Sequence, residues 1–272
     1  MIQSVQDYVQ RTKEDYIKWK WPKDVPPCPW FRGEPACDTP LVPMLYRKER
    51  DEYYENRLNQ LFRMKAPGFT KTPPRDHTDQ WLFLARHVGL PTRFLDWTEG
   101  SLIALYFALQ ENNPIIWMIN PLGLNDLSLD KRYVDTGTGY NIYGLTWVNV
   151  PEGKNIASEN INGAWDTGKS GMQLPVAIVP TLVHPRMVAQ RSCFTVHGKD
   201  KRGLYELVGS AGILHKYTIN SAKRLDMLDE IRIMGITYGT LFPDIDGLAK
   251  DLTNQFRPDL LPMSTIIHNT EL

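Results

Sequence analysis

Residues 89–109 read GLPTRFLDWTEGSLIALYFAL, and this stretch decides the type of fold. Gly89 and Pro91 stop the helix before them, because proline removes a donor and clashes with the preceding turn. Thr92 to Trp97 alternates with the period of a strand. Thr98 is then placed to cap a helix beginning near Glu99, whose face holds Leu102, Leu105, Tyr106 and Leu109. A second apolar strand, PIIWMI at 114–119, follows at once. Asp96 sits at the strand-to-helix corner between Leu95 and Trp97, where a charge needs a role. Three are open to it: an ion pair with Arg93 or Arg32, a cap on the following helix, or a hydrogen bond to a sugar hydroxyl.

Upstream, Trp81, Leu82, Leu84 and Ala85 predict a helix over 78–87, and Tyr53, Tyr54, Leu58, Leu61 and Phe62 predict one over 47–65. Val5, Tyr8, Val9, Tyr16 and Trp19 recur at helical spacing, so 3–19 is expected to dock by an aromatic stripe. Pro22, Pro26, Pro27 and Pro29 then lead into a short extended piece ending in Phe31-Arg32. Downstream, 121–173 is polar and rich in Gly and Asn, an insertion of loops and short elements. Strands are expected at 176–179, 186–190, 193–196 and 213–219, then helices over 222–234 and 245–255. No internal repeat is present. Strands without crossover helices between them favour an α+β fold over a doubly wound sheet, with 1–272 as a single domain.

A 272-residue chain that is 42% hydrophobic builds a substantial core, and its formal net charge of zero forces neither a nucleic-acid nor a membrane partner. The segment after Arg47 is locally basic (Lys48, Arg50, Arg57, Arg63, Lys65), although Glu49, Asp51, Glu52 and Glu55 interleave as on a solvated helix face. Three cysteines, Cys28, Cys37 and Cys193, with no CxxC, fit reduced thiols rather than a disulfide framework or a zinc site. The N-terminus lacks the apolar segment of a signal peptide, and no run of about 18 apolar residues occurs. A cytoplasmic protein without a membrane partner is expected.

Several motifs lack the surroundings that their chemistry needs. GAWDTGKS at 163–170 matches a phosphate loop, but a polar segment precedes it and Pro175 soon follows, so the buried strand and the helix that such a loop needs are missing. His77, His87, His184 and His197 show no zinc spacing, so no metal is expected. No G-x-S-x-G nucleophile turn is present. Cys193 lies on an apolar strand as a buried, inert thiol.

Taken together, Trp30-Phe31-Arg32-Gly33, then Arg86-His87-x-Gly89-Leu90-Pro91-Thr92-Arg93-x-Leu95-Asp96-Trp97-Thr98, then Ala104-Leu105-Tyr106-Phe107-Ala108 resemble the FRG domain, named for its [FY]-R-G tripeptide. Ala189-Gln190 with Phe194, and the block from Gly239 to Leu248, are also similar to it, so the resemblance spans about 28–250. A weaker resemblance links these segments to ADP-ribosyltransferases of the arginine–serine–glutamate type. It implies an α+β fold with a split, mixed or antiparallel sheet and flanking helices, and NAD as the substrate. Arg32 would contact the NAD phosphate or ribose. Asp96 or Thr98 would bond the nicotinamide ribose, and Trp97 would wall the nicotinamide pocket, with Phe31, Gly33, Arg93 and Phe107 completing the binding set. Aspartate stands where the first serine of that pattern would be, and no late catalytic glutamate is evident. Gln190 is the best-placed substitute and Glu206 a poorer one, so Arg32, Asp96 and Gln190 form the expected catalytic set. The resemblance implies transfer of ADP-ribose to RNA or protein by a toxin or phage-defence effector, with an antitoxin as a candidate partner. The alternatives are an NAD glycohydrolase and a non-catalytic module that binds a nucleotide or a partner.

Overall fold

The computed structural model describes residues 1–21, 23, 26–35, 41–47, 52–128, 146–147, 173–180, 182, 184–198 and 200–255. In chain order these form α1 (Val5–Lys18), β1 (Trp30–Pro35), α2 (Glu52–Lys65), α3 (Thr78–His87), β2 (Phe94–Thr98), α4 (Ser101–Leu109), β3 (Pro114–Ile119), α5 (Pro121–Ser128) and β4 (Thr146–Trp147). There follow β5 (Val176–Val179), α6 (Pro185–Ala189), β6 (Ser192–Val196), α7 (Leu204–Val208), β7 (Leu214–Thr218), α8 (Arg224–Ile233), α9 (Tyr238–Leu241) and α10 (Ile245–Gln255).

All seven strands belong to one sheet in the order β4-β5-β6-β2-β1-β3-β7. Six of them pair antiparallel, and the two-residue β4 adds a parallel edge beside β5. The fold is therefore α+β with a largely antiparallel open sheet. The run PIIWMI is buried at every position of β3, as an uninterrupted apolar strand must be when both faces are covered. On one face, Phe31, Ile116 and Met118 pack with Val5 and Tyr8 of α1, most of α4, and Met227 and Ile231 of α8. On the other, Trp30, Leu95, Trp97 and Trp117 pack with Leu124 of α5 and with Leu204 and Val208 of α7. A third cluster stacks Phe83 of α3 on Phe94 and Phe194, with centroids 5.6 and 5.4 Å away.

Three local expectations change. Residues 186–190 form helix α6 and its C-cap instead of a strand. Pro185 sits in the first turn, where its missing N–H costs nothing, and His184 caps the turn by accepting the Arg186 backbone N–H at its Nδ1. Helix α4 starts two residues later than expected, with Gly100 as its N-cap. Thr98 is the last residue of β2, its hydroxyl accepting the Gly100 N–H at 3.0 Å just ahead of the helix. On α2, Tyr53 and Tyr54 point outward at 74% and 37% exposure, and the buried residues are Glu55 and Asn59. The expected insertion opens with α5, whose Asn125 exchanges two hydrogen bonds with the Ala177 backbone of β5. The phosphate-loop match at 163–170 and Cys37 lie outside the described residues. Cys193 is buried, and burial pushes its thiol well above the usual range. Among the described residues no helix is long and apolar enough to cross a membrane, and no group of three or more His, Cys, Asp or Glu could hold a metal ion.

Candidate functional site

Strand β1 pairs with β3 from Trp30 to Pro35, and β2 pairs with β6 from Phe94 to Thr98. Between β1 and β2 the ladder holds only one register pair, Phe31 opposite Thr98. Past that pair the strands part, and the Asp96 carbonyl, left without a strand partner, accepts a hydrogen bond from Arg32 Nη1 at 2.8 Å. A cleft of about 570 Å³ opens there, lined by Phe31, Arg32 and Gly33 of β1 and by Asp96, Trp97 and Thr98 of β2. Arg86 and His87 at the end of α3, Phe107 of α4, Gln190 after α6 and Phe242 after α9 also line it.

Gly33 is required by the protein itself. A Cβ there would lie 2.1 Å from the Ala104 carbonyl oxygen and 2.5 Å from the Ala108 nitrogen, so α4 sits with its backbone directly on β1. The residue still lines the cleft, but close approach of a ligand is not needed to explain it.

Two ion pairs set the charge of the cleft. Arg86 forks onto both Asp96 oxygens, its Nε lying 2.8 Å from Oδ1 and 3.1 Å from Oδ2. Arg32 Nε donates to Glu34 Oε2 at 3.1 Å, while Glu34 Oε1 accepts from Trp117 Nε1 at 2.8 Å. The Asp96 side chain keeps 42% of its surface exposed, against 13% for Arg32 and 6% for Glu34. Burial alone would push the Asp96 carboxyl up, but Arg86 and then Arg32 hold it below the usual carboxylate range. Asp96 is thus an ionised carboxylate facing an open space. Its main partner, Arg86, is among the cleft residues that sequence reasoning did not name as site residues, with the buried Glu34, His87 and Phe242. The signal for Arg86 was its place at the end of a helix leading, through a short turn, into the strand that carries Asp96.

Of the residues expected from the sequence, Phe31, Arg32, Gly33, Asp96, Trp97, Thr98, Phe107 and Gln190 all line this one cleft. Trp97 does so from the edge of the core: it is 2% exposed, and its Nε1 donates to Thr195 Oγ1 at 3.1 Å on the face shared with Leu95. Thr98 Oγ1 donates to the Gln190 carbonyl at 2.7 Å and so ties β2 to the end of α6. The Gln190 amide donates through Nε2 to the Leu241 carbonyl at 3.1 Å. Phe107 meets Phe242 edge-on at 6.2 Å. Arg93 is placed elsewhere: it is buried and forks onto Glu55 of α2 at 2.5 to 3.0 Å, away from the cleft lining. Glu206 is 61% exposed beside Arg202, also off the cleft lining.

Between α3 and α6, the His87 ring lies 4.0 Å from that of His184, and Arg186 pairs with Asp244 beside them. Desolvation, followed by the His184 and Arg186 charges, pushes the His87 imidazole down to about 4, against the opposing pull of Asp96 and Asp244.

The model of one family, the FRG domain, matches residues 29–115. This is the stretch from the approach to β1 to the start of β3, and it belongs to that family. The blocks at 189–194 and 239–248 fall beyond the match. No curated protein and no solved structure matches the chain.

Proposed function

We propose that the cleft binds NAD as a substrate and that the protein breaks the nicotinamide–ribose bond, passing ADP-ribose to a macromolecule, RNA or protein. One observation carries this reading. Arg32, Asp96, Thr98 and Gln190, drawn from three separate segments, line a single open cleft together with Phe31 and Phe107. Its volume of about 570 Å³ lies within the ~300–1,000 Å³ of small-molecule sites.

The lining suits the parts of the substrate. Among the described residues Arg32 engages the protein through Nε and Nη1 alone, which leaves Nη2 to meet a pyrophosphate oxygen. Phe31, Phe107 and Phe242 offer aromatic surface to the rings. The Gln190 amide is oriented through Nε2, so among the described residues its Oε1 meets no donor and can accept a ribose hydroxyl. As the C1′–nitrogen bond breaks, its electron pair leaves with neutral nicotinamide and positive charge builds on the ribose. An ionised Asp96, fixed in advance by Arg86, stabilises such charge electrostatically.

Gln190 specifically favours a second reading, an NAD glycohydrolase with water as the acceptor, because an amide holds a ribose but cannot deprotonate a nucleophile. The FRG resemblance extends the proposal to a toxin or phage-defence setting with an antitoxin partner. The test incubates the protein with labelled NAD, with and without cell extract, and follows nicotinamide release and label on RNA or protein. Arg32→Lys, which keeps a cation beside Glu34 but loses the fork, is expected to cut release by about 10²-fold. NAD binding in calorimetry without any release would instead make the cleft a non-catalytic binding site, and no binding at all would end the NAD reading.

A further inference from the structure

Transfer to a hydroxyl or to water needs an acceptor for a proton, and the cleft carboxylates are poorly available for that task. Asp96 accepts the Arg86 fork, and Glu34 is buried against Arg32 and Trp117. Glu111, the third carboxylate of the lining, is exposed beyond the end of α4. His87 differs from all three. It lines the same cleft as Asp96 and Gln190, and neither of its ring nitrogens has a hydrogen-bond partner among the described residues. Its ring is held by packing on His184, whose own Nδ1 accepts the Arg186 backbone N–H. The sequence places it in the Arg86-His87 pair, so the residue that fixes Asp96 and this imidazole leave the same helix end together.

Resting on the NAD reading above, we propose that His87 is the catalytic base that takes the proton of the acceptor, the role for which the sequence offers no evident late catalytic glutamate and Glu206 lies off the cleft lining. In the step, the bond from C1′ to the nicotinamide nitrogen breaks and its electron pair leaves with nicotinamide. The acceptor oxygen forms the new bond to C1′, and its proton passes to a ring nitrogen of His87, which then releases it to solvent. The surroundings keep the imidazole ready: burial, His184 and Arg186 hold it neutral, while Asp96 and Asp244, facing it from β2 and from the turn before α10, stabilise the imidazolium once formed.

The experiment measures nicotinamide release from NAD by the full chain, wild type against His87→Gln and His87→Ala, with folding checked by circular dichroism. Wild type should show an acid limb in its pH–rate profile below the ordinary histidine value of about 6.5. His87→Gln should lose about 10²-fold in kcat with little change in KM and no acid limb, and added imidazole should restore part of the His87→Ala rate. Full activity in His87→Gln, a change in KM alone, or a collapse caused by Glu111→Gln instead would overturn the role of His87 while leaving the NAD reading intact. No release by wild type would overturn the NAD reading and this role with it.

Discussion

Replacing Gly33 with alanine tests whether the glycine of the FRG tripeptide serves the fold. The new methyl would lie 2.1 Å from the Ala104 oxygen and 2.5 Å from the Ala108 nitrogen, where ordinary contact begins at 3.4 Å. Both obstacles are backbone atoms of α4, so no rotamer change relieves the overlap and the helix itself must lift by about 1 Å or more. It is poorly placed to do so. Its start is tied down by the Tyr8 hydroxyl, which donates to the Ser101 carbonyl, and its end by Arg224, which donates to the Leu109 carbonyl. Its face between those ends is buried against β1, β3 and α8. Overpacking usually costs about 1–3 kcal/mol, and a backbone clash under a pinned helix belongs at or above the top of that range. Against a total stability of about 5–15 kcal/mol, the urea midpoint should fall by about 1 M or more. Urea unfolding followed by tryptophan fluorescence measures it. A midpoint within about 0.2 M of wild type, with NAD-dependent activity lost, would refute the reasoning and return the glycine to a ligand role.

Three further outcomes follow from buried charge. Glu55→Gln removes the carboxylate charge that the guanidinium of Arg93, 5% exposed, forks onto, and should cost about 3–5 kcal/mol in chemical denaturation, whereas replacing both residues with methionine should cost much less. His197 is fully buried with neither ring nitrogen partnered among the described residues, and burial pushes its imidazole down to about 3. The unfolded chain therefore binds a proton that the folded chain refuses: this contribution is complete above pH ~6.5 and is lost at up to about 1.4 kcal/mol per pH unit as pH falls towards about 3. His197→Phe should flatten that slope by one proton in urea melts run across the range. Arg86→Gln removes the strongest influence lowering the Asp96 carboxyl while leaving the burial that raises it, so carboxyl titration by NMR should show the Asp96 pKa moving up.

What was legible in the sequence was whatever repeats along it. The uninterrupted run at 114–119 became β3, buried at every position, and the alternation before Trp97 became β2, where Asp96 alone is not buried. Residues 186–190 misled because Met187 turns inward and Val188 outward, an alternation that one turn of helix produces as readily as a strand. Helix α2 misled for a different reason. Its buried face is polar, Glu55 answering Arg93 from 38 positions away, and no local period records a long-range ion pair. The site divides along the same line. Every lining residue named in advance came from a motif, while Glu34 entered only through its partners, and Arg86, though it stands in the motif block, gained its role only from Asp96. Arg93, the one expected member placed elsewhere, was drawn off by a carboxylate on a different helix.

The two adjacent residues Arg32 and Gly33 do different work, and their adjacency explains the cleft. Side chains alternate across a strand, so the missing Gly33 side chain lies on the face shared with Phe31, where α4 comes down onto β1. Arg32 takes the opposite position, next to Glu34. The seat of α4 and the parting of β1 from β2 fall at the same step of the chain, just past the Phe31–Thr98 pair. That parting leaves the Asp96 carbonyl unpaired at the edge of the gap, and the neighbouring guanidinium closes it at 2.8 Å. A strand carbonyl that would be costly to bury unpaired becomes the anchor that holds Arg32 at the cleft wall. An arginine one position earlier or later along β1 would sit on the α4 face, and one on another strand would leave the gap unclosed. The tripeptide is therefore a structural device for opening a sheet and lining the opening with a fixed positive charge, and any ligand-binding role for Arg32 is built on that geometry.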